Sequence, residues 1–120
     1  HKRRLVIVIK QDKENLKNKK FTDSLLISCL VTCESVISKK AYLEKKWSGY
    51  HVVSNQTAGD MYRYERLEWM KYREELRSLL LPAYPMKTII QMTKACKDKA
   101  TQKEVKEVIS LIDKNDYELV

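Results

Sequence analysis

The sequence contains few of the residues that bend or terminate secondary structure. Its 120 residues include two glycines, Gly49 and Gly59, and two prolines, Pro82 and Pro85. Three glycines are needed for a dinucleotide-binding loop, and no Walker A phosphate loop is present. A β-sandwich or β-barrel would need many more turn residues. The composition therefore excludes these nucleotide-binding loops and argues against a fold made mainly of strands.

Histidine and cysteine are also scarce, which weakens any catalytic interpretation. The histidines are His1, at the terminus, and His51, in an apolar stretch. Cys29 and Cys33 share a face of a predicted helix with leucines, so they are expected to be small buried side chains. A zinc site built from them with His51 or Cys96 would lack the close cysteine pairs that flank a turn in zinc fingers. We therefore predict a protein that is not an enzyme and has no catalytic residues, cofactor or metal.

The chain also lacks the features of a secreted or membrane protein. An odd number of cysteines, three, is unusual for a disulfide framework. The basic start resembles a signal peptide, but its apolar run stops at Lys10 with no small-residue cleavage site. No stretch approaches the ~18 apolar residues of a membrane span. We expect a domain excised from a larger intracellular protein, in the nucleus rather than the cytoplasm, that does not bind a membrane.

Positive charge is in excess and is unevenly distributed. Lysine and arginine number 24 against 16 acidic residues, a net charge of +8. Residues 1–46 contain 12 basic and 5 acidic side chains, whereas the later residues are nearly balanced. Such a localised positive field attracts nucleic acid or an acidic protein. The alternative is a lysine-rich solvated surface that has no partner.

The first half of the chain shows a strand–helix–strand pattern. Residues 5–9 form an apolar, mostly β-branched run that predicts a strand buried on both faces. After a polar segment, a helix is predicted from about Asp23 to Lys46, with Thr22 as its N-cap, because apolar residues recur at three- and four-residue steps. Residues 51–54 are typical of a second strand. The order predicts a β-α-β element with parallel strands.

The second half is predicted to be helical after a polar linker at residues 54–59. One helix is expected from Asp60 to Leu80 or Leu81, where prolines end it. A short helix follows over residues 86–97, and a capping box at Thr101 opens the last one. We therefore predict a single α+β domain that is predominantly helical, with the β-α-β element followed by three helices.

The helix predicted from Asp60 carries several arginines close to one line. These residues are Arg63, Arg66, Arg73 and Arg77. We expect this line to lie roughly opposite the apolar stripe that runs from Trp69 to Leu80. Guanidinium groups suit the recognition of phosphate or carboxylate. Glutamates on the same helix favour instead a solvated face with no ligand.

A lysine cluster lies in the polar segment before the long helix, at Lys17, Lys19 and Lys20. No aromatic side chains are interleaved with it. Charge of this kind predicts salt-sensitive binding to phosphates without base readout. The cluster is therefore a candidate site for nucleic acid or for an acidic partner.

The predicted first strand suggests a protein partner. Its residues are Leu5, Val6, Ile7, Val8 and Ile9. A two-stranded parallel sheet is not expected to be stable alone, so another protein chain or a second copy is expected to cover this strand. We predict an adaptor or scaffold domain of a nuclear or nucleic-acid-associated assembly, with a basic half (residues 1–55) and a helical half (residues 60–120). The alternative is an RNA- or DNA-binding module that uses its basic surface directly.

Overall fold

The computed structural model describes residues 12–48 and 53–120, except for the side chains of residues 48 and 53–57. Within these residues the chain is predominantly helical, as predicted, with one short two-stranded sheet. The elements are α1 (residues 12–17), β1 (Lys20–Phe21), α2 (Asp23–Ser48), α3 (Val53–Leu80), α4 (Met86–Ala95), α5 (Gln102–Asp113) and β2 (Glu118–Leu119).

Helix α2 begins where the sequence predicts. The Thr22 Oγ1 accepts a hydrogen bond from the Leu25 backbone N–H at 3.1 Å, which satisfies a donor that the first turn leaves unpaired. Phe21 and Leu26, on either side of this cap, are both buried to 1 % exposure. This spacing is that of a hydrophobic staple, and it fixes the angle at which the chain enters the helix.

Helix α3 begins earlier than predicted. The helix starts at Val53, so the expected linker at residues 54–59 is helical, and the strand expected over residues 51–54 is wrong for residues 53 and 54. Gly59 is buried, and a Cβ at this position would lie 3.9 Å from the backbone of Trp47 in α2. Packing against α2 therefore stabilises a helix that the local sequence does not favour. Residues 5–9 and 51–52, the rest of the predicted strands, lie outside the described residues.

Helices α2 and α3 form an antiparallel pair. Glu44, late in α2, contacts Arg66, whereas Glu34, earlier in α2, contacts Arg73, later in α3. The core lies between this pair and the shorter helices α4 and α5. Its largest fully buried apolar side chains are Phe21, Leu25, Leu26, Leu30, Leu76, Leu80, Ile89, Val105 and Val108.

A short sheet pairs the segment before α2 with the C-terminal end of the described chain. Strand β1 pairs in parallel with β2, with Lys20 opposite Glu118 and Phe21 opposite Leu119. The ring of Phe21 stacks on that of Tyr117 at a centroid distance of 4.9 Å. This sheet joins the start of α2 to the chain after α5.

Helix α5 is held at its start by the predicted capping box. The Glu104 N–H donates to Thr101 Oγ1 at 3.1 Å, and the Thr101 N–H donates to Glu104 Oε1 at 3.2 Å.

Across the described residues, no helix has both the length and the apolar character needed to cross a bilayer.

Candidate protein-interaction surface

The cysteines of α2 lie inside the core. Cys29 and Cys33 are fully buried. Burial raises the pKa of the Cys33 thiol to about 12, and it raises the pKa of Cys29 even further above its ordinary range. Both are neutral thiols at physiological pH, whereas the thiolate is the reactive and metal-binding form. No group of three potential metal ligands occurs among the described residues.

Arg66, Arg73 and Arg77 do not lie opposite the apolar stripe, so the prediction is wrong for these three residues. Arg66 donates from Nε to Glu44 Oε2 at 2.7 Å, and Arg73 donates from Nη1 to Glu34 Oε1 at 2.9 Å. Their side chains are only 25 % and 19 % exposed. A rotation of about 100° per residue places Arg73 only about 40° from Trp69, which brings it to the edge of the buried stripe.

Arg77 joins the same network. Its Nη2 lies 3.4 Å from Glu34 Oε1, and its Nη1 lies 3.4 Å from Glu74 Oε1. One carboxylate of α2 thus binds two guanidinium groups of α3, those of Arg73 and Arg77. Lys40 extends these contacts by pairing with Glu65 at 2.5 Å. In the structure, these arginines connect the two long helices.

The remaining predicted basic residues are exposed. Arg63, Lys17 and Lys20 form no ion pair with any described residue. Lys19 pairs with Asp116 at 2.6 Å, although both side chains remain about half exposed at 52 %. The lysines lie at α1 and β1, whereas the arginines lie on α3, so the two predicted sets belong to different parts of the fold. Residues 5–9, the predicted protein interface, lie outside the described residues.

The structure exposes an apolar surface that the sequence analysis did not identify. Met61, Tyr64 and Leu67 lie on α3 with exposures of 57 %, 71 % and 46 %. Residues three apart are neighbours on a helix, so these side chains form a continuous ridge, which we call the α3 ridge. Tyr64 and Leu67 are about 140° and about 160° around the helix from Trp69, so this part of the ridge lies away from the core, whereas Met61, about 80° away, lies at its margin. The available signal was the presence of Tyr64 and Leu67 on the side of the helix away from the core stripe.

Charged side chains of both signs surround the α3 ridge. Asp60, Arg63, Glu68 and Lys71 are exposed on the same part of the helix. The Tyr72 hydroxyl bonds to Glu68, and burial together with this bond raises the pKa of Tyr72 to about 12. An apolar centre with a charged border is the usual organisation of a protein-binding patch.

No protein-family model, curated protein or solved structure matches this chain. The interpretation of the α3 ridge therefore depends on its own residues and on their exposure.

Proposed function

We propose that this chain is a non-enzymatic protein-interaction domain that binds an acidic partner protein through the α3 ridge. The exposure of Met61, Tyr64 and Leu67 is the observation that supports the proposal most strongly. Neighbouring apolar side chains left in solvent and bordered by charge commonly mark a site of association. Tyrosine in particular gives a large, rigid contact area at an interface.

The charge of the chain favours an acidic protein over a second copy. A net charge of +8 opposes association of two identical chains, because their fields repel. The same charge attracts an acidic partner and raises its rate of encounter. In this proposal the basic residues steer the partner, and the α3 ridge supplies apolar contact area.

We also propose an adaptor or scaffold role in a nuclear or nucleic-acid-associated assembly. The positive charge of residues 1–46 supports this environment. The first strand of the predicted β-α-β element remains part of the proposal, with residues 5–9 as a strand that a partner covers. Such a strand would be a second apolar contact, made by residues other than those of the α3 ridge.

The second candidate function is direct binding to RNA or DNA. Lys17 and Lys20 favour it, because they are exposed and form no ion pair with described residues. Arg66, Arg73 and Arg77 favour it less, because each already binds a carboxylate. Binding by lysines alone should be weak and should fall steeply as salt is added.

A capture experiment with matched variants separates the two functions. The full chain, a Tyr64→Ser, Leu67→Ser variant and a Tyr42→Ser control are immobilised and exposed to nuclease-treated cell extract. Tyr42 is 65 % exposed on α2, so its loss removes a similarly exposed aromatic ring from another helix. We expect an acidic protein to be captured by the parent and the control and lost from the α3 ridge variant. Equal capture by all three would contradict the proposal.

Direct binding to nucleic acid is tested by a separate binding measurement. Binding of a mixed-sequence RNA and a mixed-sequence DNA duplex is measured at low salt for the parent and for a Lys17→Glu, Lys20→Glu variant. Binding that depends on these lysines and disappears with added salt would support a nucleic-acid module. Absence of binding at low salt would eliminate it.

A further inference from the structure

A small cavity lies where α1, α2 and the connection between α4 and α5 meet. Its volume is about 140 Å³. Its lining includes Asp12, Leu25, Ser28, Asp98 and Glu104. It shares no residue with the α3 ridge, so what it binds is independent of the function proposed above.

Hydrogen bonds fix the walls of this cavity. The Ala100 N–H donates to the Ser28 carbonyl oxygen at 3.3 Å, and the Thr32 hydroxyl donates to the Ala100 carbonyl oxygen. The capping box at Thr101 holds Glu104 in place on the same side. The cavity is therefore formed by backbone and side chains that are already in position before a ligand arrives.

Three carboxylates surround the cavity. Burial raises the pKa of Asp12, and the negative charges of Asp98 and Glu104 raise it further, although a hydrogen bond from Ser24 opposes the shift. Lys13 and Lys99 also line the cavity. The Lys99 Nζ donates to Ser35 on α2 at 2.9 Å. With both lysines counted, the lining has one more negative charge than positive.

Ser28 supplies an independent indication of a ligand. The residue is 5 % exposed, and its hydroxyl oxygen is buried without any hydrogen-bond partner. A buried hydroxyl in this state lowers stability, and native proteins seldom keep one without a reason. A ligand that donates a hydrogen bond would satisfy it.

The chemistry of this lining selects a cation with several donors. An ammonium group has three N–H donors, no acceptor and one positive charge. The three carboxylates do not converge closely enough to hold a metal ion, since no such group of three occurs among the described residues. Leu25 provides an apolar wall for methylene groups. A cavity of ~150 Å³ is known to hold benzene, so about six non-hydrogen atoms fit.

We propose that this cavity binds the primary ammonium end of an alkylamine, either a free amine or a lysine side chain. The ammonium donates to the Ser28 hydroxyl oxygen and neutralises the excess charge of Asp12, Asp98 and Glu104. The alkyl chain packs against Leu25.

Calorimetric titration of the full chain tests this assignment and identifies the source of the amine. The probes are n-pentylammonium, the matched alcohol n-pentanol, and a blocked tripeptide with a central lysine. Binding of either amine with no binding of the alcohol supports the proposal; the amine that binds more tightly indicates whether a free amine or a lysine side chain is preferred. Failure of both amines to bind, or equal binding of the alcohol, overturns it.

Two variants test whether the amine binds in this cavity. Ser28→Ala should weaken amine binding about tenfold or more, because a hydrogen bond to a charged group is lost. Glu104→Gln removes a charge but keeps the capping box, so it should weaken binding while the helix remains. Glu107→Gln, an exposed change on the same helix, is the control and should leave affinity unchanged. Affinities that do not differ between Ser28→Ala and the parent would overturn the assignment.

Discussion

Arg66 and Glu44 bind each other across the interface of the two long helices. Arg66 Nε donates to Glu44 Oε2 at 2.7 Å, and its Nη2 lies 3.5 Å from Glu44 Oε1. Each side chain is 25 % exposed, so the pair is partly shielded from solvent. A guanidinium that contacts a carboxylate through two of its nitrogens also restricts the relative orientation of the two groups. The pair therefore helps to set the register of α2 against α3.

Reversing one charge of this pair should destabilise the fold. Arg66→Glu places two carboxylates together, and we expect the free energy of unfolding to fall by about 1–2 kcal/mol. The double variant Arg66→Glu, Glu44→Arg should recover much of the loss. Urea unfolding followed by circular dichroism measures both effects. Arg63→Glu is the control, because Arg63 is exposed and should change stability little; an equal loss in the control would contradict the structural role of Arg66.

Glu34 should matter more than Glu74 although both contact the same arginines. Glu34 binds Arg73 and Arg77 across the helix interface, whereas Glu74 lies on their own helix and is 60 % exposed. Glu34→Gln removes the carboxylate of α2 that binds both partly buried guanidinium groups and leaves them only Glu74 of their own helix. We expect a loss of about 1–3 kcal/mol, against under about 1 kcal/mol for Glu74→Gln. Thermal unfolding of both variants tests the order, and a larger loss for Glu74→Gln would refute it.

Gly59→Ala should stabilise the protein. Gly59 lies inside α3, and an added Cβ would make ordinary contact with the Trp47 backbone at 3.9 Å. Alanine favours the helix and restricts the unfolded chain, so the free energy of unfolding should rise by about 0.5–1 kcal/mol. If residues 54–59 were instead a flexible linker, the substitution would have no such effect. Chemical denaturation of the two chains decides between these outcomes.

The Glu75–Asp113 contact should make stability depend on pH. Burial, followed by the charge of Asp113 and a hydrogen bond to it, raises the pKa of Glu75 above its ordinary value of 4.5. The folded state therefore holds this proton more tightly than the unfolded state, so stability falls as pH rises from about 4.5 through the higher pKa of the folded state. Glu75→Gln resembles the protonated form. Urea unfolding should give the variant the same free energy of unfolding as the parent at pH 4 and a higher one at pH 7. If the difference in stability between variant and parent is the same at both pH values, the contact is disproved.

The sequence correctly predicted the helix starts that are fixed by residues close together in the chain. The Thr22 cap and the Thr101–Glu104 capping box each need only a few consecutive residues, and both are confirmed. The start of α3 was missed because residues 54–59 are polar and contain a glycine. Gly59 packs against the backbone near Trp47 of α2, and no local pattern shows this contact. The β1–β2 pair could not be predicted, because it joins two-residue strands about 100 positions apart.

The candidate site was predicted less well than the fold. The sequence placed Arg66, Arg73 and Arg77 close to one line of α3, but their partners Glu34 and Glu44 lie on another helix and become visible only when the helices pack. Even so, counting the rotation of α3 would have placed Arg73 beside Trp69. The α3 ridge was overlooked because only the stripe from Trp69 to Leu80 and the charged residues of this helix were considered. These residues are distinguished from the core residues of α3 by their solvent exposure, which is known only once the whole fold is known.

Site-specific photo-cross-linking from the α3 ridge tests the central proposal most directly. A photoreactive phenylalanine analogue replaces Tyr64 in one protein and Tyr42 in another, and both are irradiated in cells. The account predicts a cross-link to an acidic protein from position 64 that is absent from position 42. Identical cross-links from the two positions, a cross-link to a second copy alone, or none from position 64 would contradict it.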